Sequence, residues 1–294
     1  MPYLILVTLL WAFSFSLIGE FLAGQVDSYF AVLTRVLLAG LLFIPFIQWR
    51  AIPGRIMLGI TAVGALQFGV TYVCLYRAFE FLSVPEVLLF TIFTPLYVAL
   101  IDDLLQRRLT LAPWVATALA VIGAAIIRYD QVSAEFLTGF LILQLANLAF
   151  AAGQVGYAHL MRQAPQVSAW GSFGFFYLGA LIWVLPAYLI LGQPDKLPST
   201  PVQWAVLLWL GWMASGLGFF AWNKGATQVD AGTLGVMNNA LIPAGLLVNL
   251  LIWNREADLL RLSLGGALIL FSLAVNVYLA RFPPLIEFRS STKG

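Results

Sequence analysis

Ten stretches of roughly 20 apolar residues follow one another with short gaps, each long enough for a helix to cross a hydrocarbon layer. They cover residues 3–22, 29–48, 57–79, 84–101, 111–128, 136–158, 169–191, 203–222, 231–253 and 262–281. In a bilayer every backbone N–H and C=O has to be satisfied inside the protein, so runs of this length fold as helices. The expected class is an all-α polytopic membrane protein with ten transmembrane helices and the lipid bilayer as its solvent. Composition agrees: 62% of the 294 residues are hydrophobic and 10% charged, against about 45–50% and about 25% in a soluble domain. Disorder is excluded on the same ground, since it needs low hydrophobicity and high charge.

The charge balance and the scarce ligand residues remove further classes. Fifteen basic and 13 acidic residues leave a net charge of +2, without the concentrated basic face of a nucleic-acid binder. Cys74 and His159 are the single residues of their types. An intrachain disulfide is therefore impossible, and a Cys/His zinc site lacks ligands. No metal and no cofactor are expected, and His159 reads as a helix-end residue rather than a catalytic base. The first span lacks a preceding basic residue and is read as retained rather than as a signal peptide. The polar segment from Phe282 to Gly294, interrupted by Pro283 and Pro284, is expected to be a loose tail.

Several gaps carry their own chemistry. Asp27 and Ser28 offer capping oxygens to the second span, and Asp230 does so for the ninth. Ser83-Val-Pro-Glu86 has the form of a capping box opening the fourth. With the N-terminus inside, nine Lys and Arg residues fall near inner span ends and five near outer ones, Arg35 not counted. The positive-inside rule then puts both termini in the cytoplasm.

An offset of 148 aligns Ala78 with Ala226 and Pro95 with Pro243, and also Ser83 with Ala231 and Arg107 with Arg255. Residues 1–130 and 135–285 would then be two repeats of five spans, with 286–294 as a polar C-terminal tail. An odd number of spans per repeat makes the halves antiparallel, the inverted architecture of secondary transporters. Pro95 and Pro243 are the expected helix breaks, because proline leaves a carbonyl without its donor. Gly64, Gly69, Gly211, Gly216, Gly218, Gly232 and Gly235 are read as points of close helix packing.

Arg35 is the outstanding polar residue: a cation seven residues into an apolar span, where ionisable groups are costly and mark functional sites. It needs a partner, either a substrate carboxylate or Glu20 or Glu86. Arg77 pairs with Glu80 or attracts anions at a cavity mouth. Trp11, Tyr72, Tyr76 and Trp222 are placed to stack on a ring. Gln144, Asn147 and Gln154 share a face of the sixth span, and Asn238 and Asn239 shortly precede Pro243. Such amides either join helices or line a polar cavity. The expected substrate-binding set is Arg35, Trp11, Tyr76, Arg77, Asn147, Asn238 and Asn239.

The chain resembles the EamA-type drug/metabolite transporter superfamily in its ten spans, its two halves and the Ala-to-Pro pattern of the fourth and ninth spans. Longer stretches are similar to its biotin-carrying bacterial members. These include Leu10-Trp-Ala-Phe-Ser-Phe-Ser16, Asp27-Ser-Tyr-Phe-Ala-Val-Leu33, the run from Ala120 to Gln131, Ala226 to Asn239, and Pro243 to Asn249. The resemblance covers nearly the whole chain. It implies biotin import across the bacterial inner membrane by alternating access. Arg35 or Arg77 could then take the carboxylate, an asparagine the ureido group, and Trp11 or Tyr76 the bicycle. Coupling is open between a proton on Glu20 or Glu86 and facilitated exchange. An exporter of amino acids or other small metabolites from the same superfamily would share the fold and the repeat. An enzyme would need clustered acids or histidines at one bilayer face, and the scattered acids argue against it.

Overall fold

The protein is described by a computed structural model over residues 1–78, 80–82, 87, 90–128, 136–253, 259–283 and 286–287. Nearly all of it is helical. In chain order the helices are α1 Pro2–Phe21, α2 Ser28–Phe43, α3 Gly54–Gly64, α4 Thr71–Ala78, α5 Thr94–Gln106, α6 Leu111–Arg128, α7 Phe136–Gln163, α8 Ala169–Ser172, α9 Gly174–Leu191, α10 Pro201–Trp209, α11 Gly218–Ala226, α12 Ala231–Trp253 and α13 Leu259–Leu279. Two π-helical segments interrupt the third and eighth of the expected spans: π1, Ala65–Val70, joins α3 to α4, and π2, Leu210–Leu217, joins α10 to α11. Among the described residues, eight helices are long and apolar enough to cross a membrane. The protein is thus a polytopic α-helical membrane protein. The other two expected windows, 84–101 and 111–128, coincide in part with α5 and α6.

The boundaries follow local chemistry. Asp27 caps α2 by accepting the Phe30 N–H at 2.7 Å, and Asp230 caps α12 by accepting that of Thr233 at 2.9 Å. The expected capping box at Ser83–Glu86 lies outside the described residues, as does most of the tail. The start of the tail is not loose: Ile286–Glu287 forms a two-residue strand, β2, antiparallel to β1, Arg108–Leu109. The two backbones can pair there because the tail returns past the α5–α6 turn.

The composite third span, α3–π1–α4, packs against α7 and α9; the composite eighth, α10–π2–α11, packs against α1 and α2. α5 lies on α12, and α6 on α13. Glycine allows the closest of these approaches. A Cβ on Gly64 would fall 1.8 Å from the Phe176 carbonyl oxygen, and one on Gly179 would fall 1.9 Å from that of Thr61. The backbones of the third span and α9 therefore touch directly. Beside this contact an aromatic core of Phe43, Phe68, Phe173, Phe176, Tyr177 and Phe219 is almost wholly buried.

Candidate functional site

α2 carries Arg35 into the bundle, where it is 4% exposed. Its Nε donates to Ser215 Oγ at 2.9 Å and its Nη2 to Tyr72 Oη at 3.1 Å. The guanidinium carbon lies 5.1 Å from the Tyr72 ring centroid, and the Tyr76 phenol also shares a side-chain hydrogen bond with Arg35. Ser215 and Tyr72 occupy two of the five N–H donors that a guanidinium offers. No carboxylate among the described residues comes within ion-pair distance of it. The Glu20 pairing is thereby excluded in this conformation: the arginine is held by neutral oxygens of α4 and π2 instead. Glu86 lies outside the described residues.

Ser215 belongs to π2, and the rest of that segment explains why so many side chains converge there. A π segment replaces the i→i−4 bonding pattern with a wider one, and such segments recur at functional sites. Trp11 Nε1 donates to the Ala214 carbonyl at 2.9 Å. Tyr177 Oη donates to the carbonyls of Ser215 at 2.6 Å and Gly216 at 3.2 Å. Residues from α1, α2 and α9 thus meet three successive residues of π2. Just after π1, the hydroxyl of Thr71, the first residue of α4, donates back to the Leu66 carbonyl at 3.0 Å and across to the Ala146 carbonyl of α7 at 3.3 Å.

Trp11 continues the cluster toward α11 and α7. Its ring stacks on Trp222 with centroids 5.0 Å apart and lies 5.1 Å from Phe219. Trp222 Nε1 donates to Gln154 Oε1 at 2.9 Å. Gln154 in turn exchanges amide bonds with Asn238, at 3.4 Å and 3.3 Å. A polar seam therefore runs from Tyr76 and Arg35 past Trp11 to Asn238. Tyr72, Tyr76, Trp11 and Asn238 each remain partly exposed.

Asn147 and Asn239 serve a different place. Around Pro95 the chain forms a 3₁₀ turn, Thr91–Phe93, before α5 begins. Asn147 Nδ2 donates to the Phe90 carbonyl at 2.9 Å, with Gln144 adding a weaker contact to it at 3.4 Å. Asn239 Nδ2 donates to the Ile92 carbonyl at 3.3 Å. The two asparagines thus satisfy carbonyls at the irregular turn, as a proline in lipid requires. Pro243 differs from the expected break, because α12 runs through it without interruption. Arg77 stands apart from the seam. It forms an ion pair with Glu80, both side chains about half exposed, and its guanidinium lies 5.7 Å from the Phe81 ring.

Sequence reasoning missed Ser215 and Tyr177. The faint signal for Ser215 was a lone hydroxyl between Gly211 and Gly216; Tyr177 is indistinguishable in sequence from a core aromatic.

Comparison with known proteins gives this geometry its context. Residues 1–129 match the EamA-like transporter family. The chain is 62% identical over 277 residues to the probable biotin transporter of Pseudomonas aeruginosa, covering 94% of this chain and 97% of that one. This chain belongs to the EamA-like transporter family. The EamA-like chain is also 52% identical over 279 residues to the biotin transporter of Escherichia coli, covering 94% of this chain and 92% of that one. A crystal structure 19% identical in sequence superposes with a TM-score of 0.78, over 96% of this chain and 98% of the other, and supports the fold alone. The seam offers a buried guanidinium, aromatic faces and an amide pair.

Proposed function

We propose that this protein is a secondary transporter that carries biotin across the bacterial inner membrane by alternating access. Arg35 takes the carboxylate through the guanidinium donors that Ser215, Tyr72 and Tyr76 leave available. Trp11 and Tyr76 cover the bicycle, and Asn238, aligned by Gln154, meets the ureido group. The single observation behind the reading is that Arg35 is 4% exposed and, among the described residues, bonded to neutral oxygens only. A buried cation of this kind is expensive in hydrocarbon and draws an anion. The relatives' substrate agrees with that chemistry. Arg77 is assigned to its ion pair with Glu80, and Asn147 and Asn239 to the turn before α5.

The architecture in this reading is ten spans in two inverted repeats, 1–130 and 135–285, followed by the tail 286–294, with both termini cytoplasmic. Two features favour it. The third span lies between α7 and α9 as the eighth lies between α1 and α2. The offset of 148 that aligns Pro95 with Pro243 also carries π1 onto 213–218, overlapping π2 at Leu210–Leu217. Glu20 or Glu86 is the candidate for proton coupling, with facilitated exchange the other course.

The test is uptake of labelled biotin in cells lacking their own biotin transporter, with the protein, without it, and with Arg35→Ala at matched membrane abundance. Saturable uptake that the variant loses is the expected result. No uptake despite good membrane expression would sink the biotin assignment.

A further inference from the structure

An open pocket of about 770 Å³ lies away from the seam, where the α11–α12 turn, the end of α7 and the end of α13 come together. One wall is polar, with Arg162, Asp230, Thr233 and Arg281. The opposite wall is apolar and belongs to α13: Leu273, Ala274 and Val277, with Tyr278 beside them.

Two observations set its depth. Tyr278 and Phe282 are each 58% exposed, with rings edge to face at 5.8 Å. Exposed aromatics flanking an arginine at the end of an apolar helix mark the membrane–water interface. Further into α13, Leu270 and Phe271 are also largely exposed, so the apolar wall continues into the lipid-facing surface of that helix.

The charges favour an anion. Arg162 is fixed across the turn: its Nε donates to the Thr227 carbonyl at 3.1 Å, and its Nη2 to those of Ala226 at 3.0 Å and Val229 at 2.5 Å. Its Nη1 has no such partner among the described residues. Asp230 is the one acid in the lining, and donors already surround it. Asn276 Nδ2 reaches its Oδ1 at 2.7 Å, the Thr233 amide the same oxygen at 2.9 Å, and the Thr233 hydroxyl its Oδ2 at 2.8 Å. Arg281 has no carboxylate partner among the described residues. The polar wall therefore presents two guanidinium groups and one carboxylate that already accepts three hydrogen bonds.

We propose that this pocket binds the headgroup of an anionic phospholipid. The phosphate lies between Arg281 and Arg162, and the start of an acyl chain lies along Val277 and Tyr278. Guanidinium forks match phosphate oxygens, and basic pockets between transmembrane helices recognise anionic headgroups. A free inorganic anion would satisfy the arginines but leave the apolar wall in water. A phospholipid covers both walls and enters sideways from the bilayer. The site is separate from Arg35 and independent of which substrate is carried.

The test uses the purified full chain in detergent, with phosphatidylglycerol, phosphatidylcholine or inorganic phosphate added. Phosphatidylglycerol at about 100 times its Kd is expected to raise the unfolding midpoint by a few degrees. Phosphatidylcholine and phosphate should leave it nearly unchanged, and Arg281→Glu should abolish the difference. A photoreactive phosphatidylglycerol on the unaltered protein should label the end of α13 and the turn before Asp230, which tests the site without relying on the variant. Equal effects of the two lipids, a phosphate effect matching that of phosphatidylglycerol, or labelling confined to other helices would each overturn the proposal.

Discussion

Arg35 is readable in the sequence because a charge within an apolar helix has no inexpensive position. Its surroundings are less readable, since they are assembled from α4 and π2. Tyr72 donates no anchor of its own but accepts one, and that bond gives a prediction. Tyr72→Phe removes a hydrogen bond to a charged group, typically worth about 1.5–3 kcal/mol. Under the proposed function the half-saturation concentration for uptake should rise about tenfold or more, with membrane abundance unchanged by quantitative blotting. A variant with wild-type half-saturation would mean that the Tyr72 bond does not position Arg35 for the substrate. Asparagines were the hardest residues to assign from sequence. Asn147, Asn238 and Asn239 all read as cavity or glue, and only the position of the 3₁₀ turn separates Asn238 from the other two.

At the scale of elements, the helix starts at Asp27 and Asp230 were legible because a cap is a local rule. Neither π segment was. A π turn depends on what its freed carbonyls meet, and the partners at π2 come from Trp11 and Tyr177, far away in sequence. The turn before α5 was legible through Pro95, but the same reading failed at Pro243. A single proline can be absorbed inside a helix when neighbouring groups compensate. The capping of that turn is testable. Asn239 is 1% exposed, and Asn239→Leu leaves the Ile92 carbonyl without its donor in a buried setting. Such a loss costs about 1–3 kcal/mol, so the unfolding midpoint in detergent should fall by several degrees. An unchanged midpoint would show that the turn does not depend on this amide.

For the whole molecule, the apolar windows made the membrane class legible, while the proposed pair of repeats depends on long-range matching. The proposed topology makes a plain prediction. A fluorescent protein fused after Gly294 should fluoresce and alkaline phosphatase fused there should be inactive, as cytoplasmic ends behave. The opposite pattern would place the C-terminus outside the cytoplasm and overturn that topology. The meeting of Gly64 and Gly179 has a mechanical consequence. The third span and α9 touch there through bare backbone, with carbonyl oxygens filling the places where side chains would stand. Slipping one helix along the other by a single residue, about 1.5 Å, would drive side chains into those oxygens. The contact resists sliding, and under the proposed alternating access it would serve as the fulcrum about which one group of helices tilts against the other.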